Sequence, residues 1–244
     1  MENSIEVILI YFLIFMLGSC LGSFISALVY RREKGISIIS PPSFCDYCGK
    51  KILKRDLVPV FSFLFLRGKT RCCGQKISID KVLVEIIGGL VFVFTFKTYG
   101  LIEGTYLAAV LLLCLLISVT DYKFLEVYDN DLKVLIGLGF IYRFLVYGID
   151  LKFILSCLIF VIGFKLLMVI SKGGLGDGDL FFYLGLIFFL GNSQIPLLVL
   201  FSIWIGAAFA IAKAIRLRSL KGSIALCPAI SLAFFLILVF RDYL

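Results

Sequence analysis

Apolar residues run along this chain in eight long stretches, at about 5–30, 82–98, 104–120, 132–149, 151–171, 180–191, 195–214 and 223–240. A helix needs roughly 20 apolar residues to cross about 30 Å of hydrocarbon, and most of the stretches approach that length. The pattern predicts an all-α polytopic membrane protein with about eight transmembrane helices, or seven if one of the shorter stretches does not cross. One long polar interruption, residues 31–81, predicts a small cysteine-bearing cytoplasmic insert. The expected organisation is a first transmembrane helix over 1–30, the insert over 31–81 and a membrane core over 82–244. The first stretch does not read as a cleavable signal peptide, because Glu2 and Glu6 stand where a basic region would precede it and the apolar run is too long.

Composition supports this reading. The chain is 61% hydrophobic and 16% charged, with a mean hydropathy of +1.10, which leaves too little polar surface for a soluble domain of 244 residues. Residues 31–81 hold 12 of the 24 Lys and Arg, and alternate loops raise the count on that side to 19. By the positive-inside rule that side is cytoplasmic and both termini lie outside. Lys97, Arg143, Lys152 and Arg241 fall outside, and Lys165 lies within a helix from which it could snorkel. The net charge of +8 is therefore mainly a topology signal, with attraction to anionic lipid as a by-product, and does not indicate a nucleic-acid partner.

Candidate chemistry lies in two acidic places. Asp121 ends the uncharged stretch 104–120, and Asp177 and Asp179 stand in the run Gly173-Gly174-Leu175-Gly176-Asp177-Gly178-Asp179. Acids beside hydrocarbon cost roughly 2.5–3.5 kcal/mol, so they are functional candidates by default. The apolar run 180–190 would make only about 16 Å of helix. Either the glycine-rich loop dips into the membrane against protein or water, or the helix includes it. The chain contains no histidine, which excludes Ser-His-Asp, Cys-His and His-Glu-x-x-His chemistry. Two carboxylates sharing a proton could hydrolyse an amide, one activating water while the other protonates the leaving group. The same pattern also suits a cation loop, the proton or ion site of a transporter, or a structural turn.

The insert carries Cys45-Asp46-Tyr47-Cys48-Gly49 and Arg71-Cys72-Cys73-Gly74. Paired Cys-Gly knuckles hold tetrahedral zinc in small domains, so Cys45, Cys48, Cys72 and Cys73 are the candidate metal ligands. The second knuckle is irregular, with Thr70 where its first cysteine would stand. Free thiols in a relic knuckle, or a redox role, are the other readings. Cys20, Cys114, Cys157 and Cys227 read as small buried side chains. Glu85 is a candidate contact for methyl transfer or a substrate amine, or simply an ion-pair partner of Lys81 one turn earlier.

Four parts of the chain, in order, resemble the type IV prepilin peptidases, membrane aspartyl proteases of the GxGD type. Gly22-Ser23-Phe24-Ile25-Ser26 with Tyr30-Arg31 is similar to that family's first-helix signature. Pro41-Pro42-Ser43-Phe44-Cys45 through Cys48, Asp56-Leu57-Val58-Pro59 and Leu66-Arg67-Gly68-Lys69 resemble its cysteine-bearing domain. Asp121 with Asp129, and Gly176-Asp177-Gly178-Asp179, resemble its two aspartate motifs. Departures are Ser26 for a usual Asn, Tyr128 for a Pro, Phe181 for a Lys and Thr70 for a cysteine.

The resemblance implies a peptidase of the bacterial cytoplasmic membrane, whose core is the segment 82–244. It would remove the short basic leader of type IV prepilins or pseudopilins of pilus, competence or secretion machinery. Asp121 and Asp179 would be the catalytic pair and Asp177 the variable position. The resemblance also implies possible N-methylation of the new terminus by S-adenosylmethionine. Charge complementarity makes Glu126, Asp129 and Asp131 candidate contacts for the basic leader. An ion-coupled transporter is the main alternative, and a catalytically silent zinc-knuckle scaffold is a further one.

Overall fold

The computed structural model describes residues 4–171, 175–217 and 224–241. Its helices are α1 (Ser4–Glu33), α2 (Phe61–Phe65), α3 (Ile79–Phe124), α4 (Asp129–Val146), α5 (Leu151–Ile170), α6 (Asp177–Ile187), α7 (Ile195–Leu217) and α8 (Cys227–Val239), with a 3-10 turn at Lys54–Leu57. The described residues contain no strand beyond two isolated bridges, Phe44 with Lys51 and Lys69 with Lys76. The chain is an all-α membrane protein.

Helix α3 accounts for two of the eight apolar stretches. Its 46 residues are broken at Gly100, whose φ of 74° and ψ of −165° are not helical. A Cβ on Gly104 would lie 2.7 Å from the Thr95 carbonyl oxygen, so the two halves fold back on each other around Gly100. A straight helix would hold those residues more than 10 Å apart at about 1.5 Å per residue. Glycine supplies the left-handed φ that this reversal requires.

Among the described residues, four helices are long and apolar enough to cross a membrane, at Ile5–Glu33, Ile79–Phe124, Leu151–Ile170 and Ile195–Arg216. Their outer faces are apolar as well: α5 leaves Leu158, Ile159, Ile162 and Val169 exposed. Surface of that kind, continuous along a helix, is stable against lipid and would associate in water.

The chain divides into two compact units, Met1–Leu112 and Leu113–Leu244. In the first, α1 crosses the start of α3 so closely that a Cβ on Gly22 would lie 2.5 Å from the Val84 carbonyl oxygen. The second is organised around α6, which packs on α4, α5 and α8. Leu180, Phe182, Tyr183, Leu186 and Ile187 of α6 are all buried. That resolves how an 11-residue helix lies among membrane spans. It is wrapped by its neighbours and need not meet lipid on its own. Gly139 of α4 faces the Gly185 carbonyl oxygen, where a Cβ would approach to 2.8 Å, and this lets the two backbones touch.

Arg143 explains one exception to the charge rule. It is 3% exposed and ties the ends of the second unit together. Nε donates to the Gly148 carbonyl at 2.9 Å, Nη1 to the Leu190 carbonyl at 2.7 Å and Nη2 to Asn192 Oδ1 at 3.0 Å. The guanidinium also lies 3.8 Å from the Phe153 ring centroid. Arg143→Lys should destabilise the protein by about 3 kcal/mol, because an ammonium cannot reproduce a planar fork of three directed donors. A thermal midpoint in detergent equal to wild type would contradict this role. Lys172, Gly173, Gly174, Arg218 and Lys221, used in the loop and topology expectations, lie outside the described residues.

Candidate active site

Asp121 lies one turn before the end of α3 and is 6% exposed. The helix stops just beyond it: the Leu125 N–H donates to the Asp121 carbonyl at 2.8 Å, and Leu125 adopts φ 56°. A left-handed non-glycine residue stores strain, and here it turns the chain toward α4. Asp179 stands in the first turn of α6, so the glycine-rich motif is partly helical. Its Oδ2 accepts the Gly176 N–H at 3.2 Å, capping its own helix. Gly178 beside it lies against Val127, where a Cβ would be 3.3 Å from the valine Cβ. The loop after Asp121 is thereby seated on the motif that carries Asp179.

A third residue joins them. Cys227, the first residue of α8, donates its backbone N–H to Asp121 Oδ2 at 2.9 Å, and its Sγ lies 3.7 Å from Asp179 Oδ1. The ligand atoms of Asp121, Asp179 and Cys227 all fall within 4.8 Å of one another. The sequence reading treated Cys227 as a small buried side chain. It is buried, but its amide is one of the unpaired donors of a helix N-terminus and is aimed at a carboxylate. Pro228, which follows it as helices commonly begin, is the only local signal that could have drawn attention to this position. Tyr183, one turn along α6 from Asp179, is buried and hydrogen-bonded to Ser202 at 2.5 Å.

Other candidates separate by position. Asp177 points away from this cluster and pairs with Lys165 of α5, so Lys165 has a partner in place of the expected snorkelling. Glu126 and Asp129 are exposed in the α3–α4 connection, whereas Asp131 is 6% exposed. Glu85 does not pair with Lys81, which binds Asp46 instead; its Oε2 accepts the Val60 N–H at 2.7 Å.

The four cysteines of the insert converge. Cys45 and Cys73 Sγ are 3.8 Å apart, Cys48 and Cys72 3.3 Å, and Cys72 and Cys73 4.0 Å. Sulfurs placed about 2.3 Å from a tetrahedral ion would be separated by about 3.8 Å, so the set fits one ion despite two ligands being adjacent. The two knuckles repeat one hydrogen-bond pattern: Cys45 N–H to the Lys50 carbonyl and Gly49 N–H to the Cys45 carbonyl, then Thr70 N–H to the Gln75 carbonyl and Gly74 N–H to the Thr70 carbonyl. Thr70 thus occupies the place of Cys45, and Cys73 that of Cys48. The Thr70 hydroxyl, 3.1 Å from Cys73 Sγ, and the Gln75 amide lower the Cys73 thiol to about 7. Hydrogen bonding to Cys48 raises Cys72 to about 12, so a metal would have to displace that proton. On the far side of the insert, Arg71 grips Asp56 through two nitrogens and holds its carboxyl below the usual range.

Fold and site together define an all-helical membrane protein with a carboxylate pair, one member buried and the other half-buried, and a four-cysteine insert. The family model described as bacterial peptidase A24 N-terminal domain matches residues 16–99, and that described as type IV leader peptidase family matches 108–211. The chain is similar to the type IV leader peptidase family over residues 108–211 and to its bacterial N-terminal domain over 16–99. A prepilin leader peptidase/N-methyltransferase of Bacillus subtilis (strain 168) is 28% identical over 235 residues, covering 94% of both chains. One from Neisseria gonorrhoeae is 29% identical over 267 residues, covering 93% of this chain and 89% of its own. A Vibrio cholerae relative of the same description is 37% identical over 101 residues, 38% of this chain and 39% of its own. No solved structure matches the chain. Cys227 lies beyond the residues matched by either family model.

Proposed function

We propose that the protein is a membrane aspartyl endopeptidase that removes the short basic leader of type IV prepilins or pseudopilins at the cytoplasmic membrane face. The observation that carries this is the convergence of Asp121 and Asp179, from separate helices, in a chain whose relatives are prepilin leader peptidases. Each carboxylate spends one oxygen on a backbone N–H, of Cys227 or Gly176, which fixes its orientation. Oxygens within 4.8 Å of one another can share one water through two hydrogen bonds of about 2.8 Å. One carboxylate takes a proton from that water as it attacks the scissile carbonyl. The other protonates the departing amine, and the pair titrates as a unit. An ion-coupled transporter finds no support among the relatives.

Glu126 and Asp129 receive the leader. Both are exposed, and Val127 between them packs on Gly178 of the second motif. Glu126→Lys with Asp129→Lys should raise KM for a substrate with a basic leader about tenfold and leave kcat within twofold. Steady-state cleavage in detergent measures both constants, and an unchanged KM would remove this assignment. The experiment for the function itself is cleavage of a prepilin-like substrate, a basic leader followed by an apolar helix, by the purified protein. A product shortened at the leader boundary is the expected result.

Zinc fits the four insert sulfurs and would have a structural role there, fastening a segment too small to bury much of a core. S-adenosylmethionine is the cofactor that the N-methyltransferase activity named for the relatives would use. Bilayer lipids, prepilins and their assembly machinery are the expected partners, with the insert and both acidic motifs on the cytoplasmic side and both termini outside. In this organisation the membrane core from residue 82 holds the peptidase, and the insert over 31–81 serves the second activity.

A further inference from the structure

The polar insert contains one element that lies at the depth of the hydrocarbon. Large apolar side chains are exposed along α1 from Ile5 to Phe24, about 30 Å at 1.5 Å per residue, which matches the thickness of the bilayer core. Beyond Phe24 the helix continues to Arg31, Arg32 and Glu33. Helix α2 packs inside the apolar band. Gly22 of α1 touches α3, where a Cβ would be 2.9 Å from the Glu85 Cα, and Glu85 Oε2 accepts the N–H of Val60 at the start of α2. The next ring, Phe61, stands edge-on to Phe12 of α1 with centroids 5.9 Å apart. Phe12 is about three helical turns deeper than Phe24. The first cysteine knuckle is held instead at the polar end of α1, where Phe44 meets Tyr30 and Asp46 pairs with Lys81.

Two properties of α2 suit that depth. None of its residues is buried, and Leu64 and Phe65 are 64% and 83% exposed. Its backbone is also satisfied from within. Val60 donates to Glu85 and Phe61 to the Pro59 carbonyl, while Ser62, Leu64, Leu66 and Gly68 donate to the carbonyls of Val58, Val60, Ser62 and Phe63. A segment that meets lipid has to close its own hydrogen bonds in this way. Charge flanks the helix on both sides. Lys54 and Arg55 precede it, Arg67 and Lys69 follow it, and all four are exposed. With Arg71 they make five cations against two carboxylates, Asp56 and Glu85, so the surroundings of α2 are net positive. Arg71 is itself paired with Asp56, which leaves the four flanking cations for another partner.

We propose that α2 is a re-entrant anchor in the leaflet on the insert's side. Leu64 and Phe65 lie among the acyl chains, and Lys54, Arg55, Arg67 and Lys69 reach anionic headgroups. A lipid surface fits better than a protein partner because the face continues the lipid-exposed band of α1 and is flanked by charge of one sign. The insert is then fastened to the membrane at a third place, besides the two helices from which it emerges.

The test uses the full-length protein in nanodiscs of phosphatidylcholine and phosphatidylglycerol. Trp204→Phe removes the one native tryptophan, and Phe65→Trp or Leu64→Trp supplies a reporter. Lipid brominated along its acyl chains should quench about half or more of either reporter's emission. Tyr47→Trp in the same background, on the exposed knuckle, should lose about a tenth or less. Bromine carried by phosphatidylglycerol alone should quench the reporter at position 65 about twofold more than the same fraction carried by phosphatidylcholine. Lys54→Gln, Arg55→Gln, Arg67→Gln and Lys69→Gln together should remove that difference and leave the depth unchanged. Reporters at 64 and 65 that neither lipid quenches would overturn the anchor. Equal quenching by the two lipids with all four cations in place would overturn the headgroup contacts. Quenching abolished by added prepilin-like substrate would overturn the lipid assignment and make the face a dock for the substrate's apolar helix.

Discussion

Asp121→Asn and Asp179→Asn should each lower leader cleavage by about 10^3-fold or more, and the double variant should be little worse than either. Asn keeps an acceptor oxygen for the Cys227 and Gly176 amides, so the loss would report proton transfer and not collapse of the site. The near-equality of single and double variants follows from a shared proton, since a pair with one member removed cannot act as acid and base together. Asp177→Asn is the matched control. That carboxylate faces Lys165 on an exposed surface, where an ion pair is worth about 0–1 kcal/mol, and cleavage should stay within about threefold of wild type. Rates from a quantitative gel assay in detergent decide it. Cleavage that survives either dyad substitution would overturn the mechanism, and loss with Asp177→Asn would move the chemistry to the wrong aspartate.

A second large effect is expected at the insert. Wild type should carry one zinc ion per chain by elemental analysis, and Cys45→Ser should carry none, because Cys45 is the buried member of the set. The knuckle register makes a sharper prediction. Thr70 stands where a regular second knuckle has its first cysteine, and Cys72 is the off-register sulfur that takes its place. Cys72→Ser should therefore release the metal, and Thr70→Cys added to it should restore full stoichiometry. Zinc retained in Cys72→Ser would show that three sulfurs and the Thr70 hydroxyl suffice, against the four-cysteine arrangement.

Much of this protein was legible in its order of residues. The eight apolar stretches correspond to helices because a backbone in hydrocarbon has no other way to satisfy its own hydrogen bonds within one segment. The reversal at Gly100 leaves little trace in hydropathy, yet the two stretches on either side of it were separable. Asp121 and Asp179 stood out because acid beside apolar sequence is costly and therefore uncommon. The resemblance of four ordered motifs to a known family then named the chemistry that composition alone had left open among protease, transporter and turn.

What remained hidden depends on contacts between residues far apart in the chain. Cys227 lies 106 positions from Asp121, and nothing in its neighbourhood records that its amide would point at a carboxylate. Lys81 could pair with Glu85 by helical spacing, but the insert delivers Asp46 to it and leaves Glu85 facing a cavity. Asp131 looked like a surface acid and is buried by packing. Adjacent cysteines looked awkward for one ion until two repeated turns brought all four sulfurs together. Hydrophobicity and local propensity are properties of a segment, so sequence determined the number, length and class of the helices. Charge pairing, cavities and the meeting of Asp121 with Asp179 are properties of the packed chain, and only the tertiary structure decided those.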